Sequence, residues 1–313
     1  RAAGQPGQRD GHGLTARQVE FSTGLRPRSS FQTRAATMFW QTTRFRIDLA
    51  RPKVMGIVNV TPDSFSDGGR HDDTSTALAH CEQLVAEGAD ILDIGGESSR
   101  PGAAPVPVEQ ELARVLPVIQ GALQFGVPLS VDTVKPEVMQ RVLDLGADIV
   151  NDINALRLPG ALEAVAAHPK CGVCLMHMHG DPATMQSRPA YDDVVAEVSD
   201  FLHERAAALL QRGVKLERIV FDPGIGFGKS VAHNLELLRR QRELLALGRP
   251  LLLGWSRKST LGTITGRAVG ERLAASVAAA LASVQLGARV VRVHDVAATV
   301  DALKVWDGAG LGG

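Results

Sequence analysis

The chain has 313 residues, 44% hydrophobic and 22% charged, a composition that excludes a disordered protein and allows one large barrel or two smaller domains. Lys plus Arg number 34 and Asp plus Glu 34, so the basic excess of a dedicated nucleic-acid binder is missing and small-molecule partners are expected, with no nucleic acid. No apolar run approaches the ~20 residues that span a bilayer, which excludes a helical membrane span.

Residues 1–37 hold six arginines, no lysine and only Asp10 and Glu20 as acids, without any core-forming period. The segment is expected to be a disordered leader or upstream extension, with a targeting peptide as the other reading and Met38 as the functional start. Residues 38–313 are expected to form one domain.

From Lys53 onward, short β-rich apolar runs alternate with helix-length segments. The predicted strands are Val54 to Val60, Ile91 to Ile94, Leu129 to Asp132, Ile149 to Asp152, Val173 to Met178, Ile219 to Asp222, Leu251 to Gly254 and Val290 to Val293. Near-continuous hydrophobicity in each predicts a parallel sheet covered on both faces. An open doubly wound sheet also fits, but eight units in this length favour closure into a (β/α)₈ TIM barrel, fold class α/β. A weak repeat supports the register: Gly88-Ala-Asp-Ile-Leu-Asp93, Gly146-Ala-Asp-Ile-Val-Asn151 and Gly287-Ala-Arg-Val-Val-Arg292. Each glycine is expected to end a helix in the left-handed conformation, five residues before a polar strand-end side chain.

Strand after strand ends in such a side chain: Asn59, Asp93, Asp132, Asn151, His177, Asp222, Ser256, Arg292 and His294. Barrel enzymes place their chemistry at this mouth. A buried unpaired carboxylate is costly, so the aspartates need a donor-rich ligand or cations; capping of the next helix and pairing with Lys258 or Arg292 are the structural alternatives. Asp132, Asn151 and Asp222 suit a flat heterocycle bearing N–H groups, because a carboxylate accepts two parallel hydrogen bonds from a guanidine-like edge. Asn59, Ser99, Arg100, Arg292 and His294 suit an anion.

Three near-motifs are set aside. Cys171-x-x-Cys174 followed by His177 and His179 has zinc-like spacing, but residues three apart on a strand point to opposite faces. The stretch from Asp222 to Ser230 lacks the first glycine of a phosphate-binding loop, where Pro223 stands. Gly254-Trp-Ser256-Arg-Lys258 lacks the last glycine of a nucleophile elbow. Three cysteines, Cys81 being the third, are too few for a disulfide framework and fit a reducing compartment.

Met55-Gly-Ile-Val-Asn59-Val-Thr-Pro-Asp63-Ser-Phe65-Ser-Asp67-Gly-Gly and Asp93-Ile-Gly-Gly-Glu97-Ser-Ser99-Arg100-Pro101-Gly resemble the two signature loops of the dihydropteroate synthases. Further similar segments are Ser130-Val-Asp132-Thr, Val150-Asn151-Asp152-Ile, Cys174-Leu-Met176-His-Met, Asp222-Pro-Gly-Ile-Gly226-Phe227-Gly-Lys, Ser256-Arg-Lys258-Ser259 and Arg292-Val-His294-Asp. They run in family order through residues 53–306.

The resemblance implies a transferase that condenses 6-hydroxymethyl-7,8-dihydropterin diphosphate with p-aminobenzoate and is a sulfonamide target. It implies pterin contacts at Asp93, Asp132, Asn151, Met176, Asp222 and Lys258, and diphosphate contacts at Asn59, Ser99, Arg100, Arg292 and His294. It implies Mg²⁺ as cofactor at Asn59, and p-aminobenzoate between Phe65, Pro101, Gly226, Phe227 and Ser259. Asp63, Arg100, Lys258, Arg292 and His294 are the expected catalytic groups. Ser99, Asn154 and Trp255 depart from the commonest family residues without removing a polar group. A methyltetrahydrofolate-dependent methyltransferase on a similar barrel, or a non-catalytic pterin-binding relative, are the alternatives; the diphosphate set argues against the first and the retained loop residues against the second. A cytoplasmic homodimer is implied, and the apolar helix Leu273 to Leu286 suits either an interface or the core.

Overall fold

In the computed structural model the eight predicted strands pair in parallel and close on themselves, with the last strand beside the first. The structure describes residues 38–61, 70–98, 100, 102–180, 185 and 189–311, all within one compact unit beginning at Thr37. Residues 1–37 lie outside the described residues.

The described chain opens with a hairpin of two short antiparallel strands, β1 (Phe39–Gln41) and β2 (Arg46–Asp48). The barrel follows as β3 (Lys53–Asn59), β4 (Ile91–Gly95), β5 (Leu129–Asp132), β6 (Ile149–Asp152), β7 (Gly172–Met176), β8 (Ile219–Asp222), β9 (Leu251–Leu253) and β10 (Ala288–Val293). Helices α1 (Arg70–Ala86), α2 (Val108–Ala122), α3 (Pro136–Leu145), α4 (Ala161–Ala167), α5 (Val194–Gln211) and α6 (Val231–Arg239) follow β3 to β8 in turn. Two helices, α7 (Ser259–Thr265) and α8 (Leu273–Gln285), separate β9 from β10, and α9 (Val296–Gly308) closes the series.

Local sequence explains much of the punctuation. Gly88, Gly146 and Gly287 have φ of +99°, +110° and +100°, the left-handed helix ends that the repeat predicts. Pro136 occupies the first turn of α3, where a missing N–H costs nothing. Asp193 caps α5 by accepting from the N–H groups of Val195 and Ala196, and Ser230 caps α6 by accepting from that of His233.

Three strand ends are corrected. The strand expected to reach Val60 ends at Asn59. The strand expected to run to Met178 ends at Met176, since the chain leaves the ladder where His177 and Met178 turn into the following loop. The strand expected to reach Gly254 ends at Leu253. The hairpin has no counterpart among the predicted strands, because each of its strands is three residues long and too short to display a period. It seals the N-terminal end of the barrel. Trp40, Ile47 and Leu49 pack with Met55, Ile91, Ile149, Cys174, Val220, Leu252 and Val290 in one buried apolar cluster. Trp40 is fully buried and its indole Nε1–H donates to Arg218 O at 2.8 Å.

That cluster is the floor on which the site stands. Residues two apart on a strand face the same side, so Ile91, Ile149, Cys174, Val220 and Val290 lie in the floor and Asp93, Asn151, Met176, Asp222 and Arg292 in the layer above it. Cys174 belongs to this interior cluster while Cys171 packs in the outer shell between strands and helices, so the two thiols do occupy opposite faces. Among the described residues no helix is long and apolar enough to cross a membrane.

Candidate functional site

At the C-terminal mouth, Arg292 joins two strand-end carboxylates. Its Nε donates to Asp93 Oδ2 at 2.6 Å and its Nη2 to Asp132 Oδ2 at 2.8 Å. Asn151 Nδ2 donates to the same Asp93 oxygen at 3.1 Å. The structure therefore brings Asp93, Asp132, Asn151 and Arg292 together, and the pairing with arginine weighed from sequence is present. Arg292 Nη1 has no hydrogen-bond partner among the described residues. Asp93 Oδ1 and Ser130 Oγ are buried polar atoms without a partner among the described residues, a shortfall of about 1–3 kcal/mol each that a ligand or water can relieve.

Burial dominates the electrostatics. It raises Asp132, with Arg292 opposing and the charges of Asp93, Asp152 and Glu111 adding to the rise. Burial pushes Asp222 up to about 6 against the Gly224 N–H and the charges of Lys258, Lys229 and Arg292. Lys258 falls to about 8, first through burial and then through Arg292, with Asp222 and Asp132 opposing. A carboxylate and an ammonium are thus both held near neutrality in one mouth, which is the signature of a site that exchanges its own charges for those of a ligand.

His294 stands at the rim. Ser256 Oγ accepts the His294 backbone N–H at 3.1 Å and lies 2.9 Å from its Nδ1. When the serine hydroxyl donates to Nδ1, the imidazole proton stands on Nε2, and that N–H is available to an anion. Burial, then Arg257 and Arg292, lowers His294 to about 3, so the ring is neutral at physiological pH.

On the other side the Lys258 ammonium sits 3.9 Å from the centre of the Phe227 ring, a cation–π contact. Phe227 packs with Ile153, Met176, Met178 and Met185, forming an apolar wall. Arg257 adopts φ +58° between Ser256 and Lys258, held by its ion pair to Asp295 at 2.5 Å and by its N–H donating to Ser276 Oγ at 3.0 Å. Ser259 opens α7.

Asn59 ends β3 beside Gly95. Arg100 is exposed on the loop after β4, whose base is fixed by an ion network that sequence reading did not find. Glu97 Oε1 accepts the Val106 N–H at 3.1 Å, and Lys135 bridges Glu97 to Oε2 of the fully buried Glu111. Asp63, Phe65, Ser99 and Pro101 lie outside the described residues.

His177, expected at the mouth, is instead packed edge-on to Phe201 with ring centres 4.9 Å apart, and its Nδ1 lies 2.9 Å from Lys229 Nζ. Met176 faces inward, so the alternation along the chain turns the next residue, His177, away from the mouth. Asp152 accepts from the N–H groups of Asn154 and Leu156, the structural capping role.

A protein-family model described as pterin binding enzyme matches residues 55–294. The dihydropteroate synthase of Neisseria meningitidis serogroup B is 55% identical over 278 residues, covering 87% of this chain and 98% of that one. The chain belongs to the dihydropteroate synthase family of pterin-binding enzymes. The dihydropteroate synthase of Escherichia coli K12 is 51% identical over 260 residues, covering 83% of this chain and 92% of its own.

Among solved dihydropteroate synthases, that of Xanthomonas albilineans with 4-aminobenzoic acid superposes with a TM-score of 0.80 at 55% identity, covering 85% of this chain and 95% of that chain. The Burkholderia cenocepacia enzyme complexed with 7,8-dihydropteroate gives 0.80 at 50% identity, covering 87% and 96%. The polar layer above the barrel floor is therefore the mouth of a dihydropteroate synthase fold.

Proposed function

We propose that this chain joins 6-hydroxymethyl-7,8-dihydropterin diphosphate to p-aminobenzoate, releasing pyrophosphate and forming 7,8-dihydropteroate. The observation that carries the reading is the layer of Asp93, Asp132, Asn151, Asp222 and Lys258 above an apolar floor, where acceptors and an amide match the N–H edge of a pterin. Asp222 Oδ1 accepts the Gly224 N–H at 2.7 Å and leaves Oδ2 for a ligand N–H. Met176, in the apolar wall, packs against the pterin ring.

In the reaction the bond from the pterin methylene carbon to the diphosphate oxygen breaks, and its electron pair leaves on that oxygen. The aniline nitrogen donates its lone pair to the same carbon and gives up one proton. Negative charge grows on the leaving group, where the His294 Nε2–H, Arg292 Nη1, Arg100 and Ser99 hold it, a contribution commonly worth several kcal/mol. Since two arms of Arg292 are committed to Asp93 and Asp132, its guanidinium links the pterin and diphosphate ends of the same substrate's pocket. Asp63 supports the developing cation and the attacking amine; Phe65, Pro101, Gly226, Phe227 and Ser259 surround p-aminobenzoate, the site where sulfonamides compete.

Mg²⁺ fits the donors present. Among the described residues no group of three His, Cys, Asp or Glu is arranged around a metal, and Asn59 offers one amide oxygen at the end of β3. An ion that keeps its waters and binds mainly through substrate phosphates needs no more from the protein. When bound it neutralises diphosphate charge.

The functional domain is assigned to residues 38–313, with 1–37 dispensable. A cytoplasmic location is supported by three buried free cysteines, and a homodimer by the exposed apolar side chains Ile264 at the end of α7, Val269 in the turn that follows and Leu273 at the start of α8.

The test is direct: incubate the protein with the dihydropterin diphosphate, p-aminobenzoate and Mg²⁺, and measure pyrophosphate and the mass of 7,8-dihydropteroate. Absence of both products, with methyl transfer from methyltetrahydrofolate to a corrinoid, moves the chain to the other reaction.

A further inference from the structure

The loop after β8 is wrapped around a lysine. Lys229 is 3% exposed, and its ammonium lies 3.0 Å from Gly224 O, 3.0 Å from Phe227 O, 3.2 Å from His177 O and 2.9 Å from His177 Nδ1. Three carbonyls and a ring nitrogen thus converge on a group that has three protons to give, the coordination a buried cation receives in a carbonyl cage. Two of those acceptors belong to the loop itself and two to the end of β7, so the ammonium ties the loop to the neighbouring strand.

Everything around the cage is shaped to admit it. Gly224 has φ +70°, and a Cβ there would lie 1.9 Å from His177 O, so only glycine lets the loop close down on that carbonyl. Gly228 has φ +61°, and a Cβ there would meet His179 O at 2.5 Å. Between them stand Gly226, whose N–H donates to Asn234 Oδ1 at 2.9 Å, and Phe227, whose ring receives the Lys258 ammonium. Tyr191 closes the far side, its hydroxyl donating to Gly228 O at 2.8 Å.

His177 is fitted to be an acceptor. Burial, followed by the charge of Lys229, lowers it to about 2, so its ring is neutral and its Nδ1 can take a proton from the ammonium. Burial lowers Lys229 to about 7, with Asp222 opposing and Lys258 adding to the fall, while the four acceptors within 3.2 Å favour the protonated ammonium; His179 and Arg157 act on His177. None of them donates to the four acceptors of the cage.

We propose that Lys229 is an internal cation that positions Gly226 and Phe227, and so sets the affinity of the arylamine pocket, without touching either substrate. It is a positioning residue that acts through the backbone carbonyls of Gly224 and Phe227. The inference rests on the assignment of Gly226 and Phe227 to p-aminobenzoate. It differs from the phosphate-loop reading of the same glycine-rich sequence, since the lysine faces inward to carbonyls and is unavailable to an anion.

The experiment measures KM for p-aminobenzoate, kcat, and calorimetric affinity for a pterin in Lys229→Met and Lys229→Ala. Loss of a charge-assisted contact set is expected to raise KM for p-aminobenzoate about tenfold or more, while pterin affinity and kcat move much less. Ethylammonium should partly restore KM in Lys229→Ala, where it fits the vacated stem, and should leave Lys229→Met unchanged. A merely structural lysine would lower folded yield and shift all three quantities together.

If neither lysine variant folds, His177→Leu carries the test, because it removes one acceptor and leaves three carbonyls; the same selective rise in KM is expected. Unchanged KM for p-aminobenzoate in any folded variant, or equal loss of pterin affinity, overturns the proposal. Wild-type protein without turnover refutes the reaction instead, and wild-type turnover with an insensitive Lys229→Met refutes only the cage.

Discussion

Ser256 Oγ accepts the backbone N–H of His294 and faces the Nδ1 of the same residue at 2.9 Å, so one hydroxyl holds both its backbone and its ring, and in donating to Nδ1 it leaves the ring proton on Nε2. Ser256→Ala leaves Nδ1 without its donor and frees the proton to move there, turning an acceptor toward the diphosphate. We expect kcat/KM for the pterin diphosphate to fall about tenfold, while affinity for a pterin without phosphates holds. Steady-state kinetics beside calorimetry read the two quantities; equal losses in both would remove the assigned role of the tautomer.

Asp222 gives a pH prediction with a definite sign. Its folded-state value is raised to about 6 by burial, from 3.8, so the carboxylate that accepts a pterin N–H is ionised above about 6 and lost below it. Pterin affinity should therefore drop as pH falls through about 6, and the dependence should vanish in Asp222→Asn, which binds weakly throughout. Stability runs the other way. A raised carboxyl stabilises the ligand-free fold at pH below its unfolded value, and that contribution is lost as pH rises through about 6. Thermal denaturation without ligand should accordingly show Asp222→Asn gaining on wild type at pH 8 relative to pH 4; a parallel pair of curves would contradict the raised value.

Arg292→Ala uncovers two buried carboxylates at once. Leaving a buried ion without its partner costs about 3–5 kcal/mol, and here the fully buried Asp93 side chain is one of the two exposed to that loss. The variant should melt lower than wild type, by more at pH 8 than at pH 5, because protonation of Asp132, which burial favours, relieves its repulsion with Asp93. Turnover should fall further than pterin affinity, since Nη1 meets the diphosphate where charge is greatest in the transition state. A pH-independent loss of melting temperature would contradict the raised value of Asp132.

Trp40→Ala tests the floor. The indole is fully buried beneath the barrel and its Nε1–H is satisfied by Arg218 O. Truncating a buried tryptophan costs about 3–5 kcal/mol, yet the apolar cluster lies a full layer below the polar one. Chemical denaturation should report the loss while KM for both substrates stays at the wild-type value; altered KM would mean that the hairpin shapes the mouth.

The eight barrel strands were legible because each is a short β-rich apolar run, and the helix ends because Gly88, Gly146 and Gly287 need the left-handed conformation. The hairpin was not, as Phe39–Gln41 and Arg46–Asp48 are too short to carry a period and gain their stability from the barrel they plug. His177 was misplaced for a related reason. Treating every polar residue near a strand end as mouth-facing ignores the period of two, by which Met176 faces inward and its neighbour His177 faces away.

The sequence by itself determined the barrel, the glycine ends and the ring of polar residues at strand ends, since these follow from local period and backbone preference, and its loop motifs carried the resemblance to the family. Only the tertiary structure decided which of those residues meet. Arg292 joins Asp93 and Asp132 across separations of 199 and 160 residues, and it can do so because β10 closes against β3 and brings the last strand beside the first. Lys229 is likewise an ordinary lysine in the sequence. It becomes a caged cation only when β7 and β8 lie side by side, because burial among carbonyls is a property of the packed loop and of no residue within it.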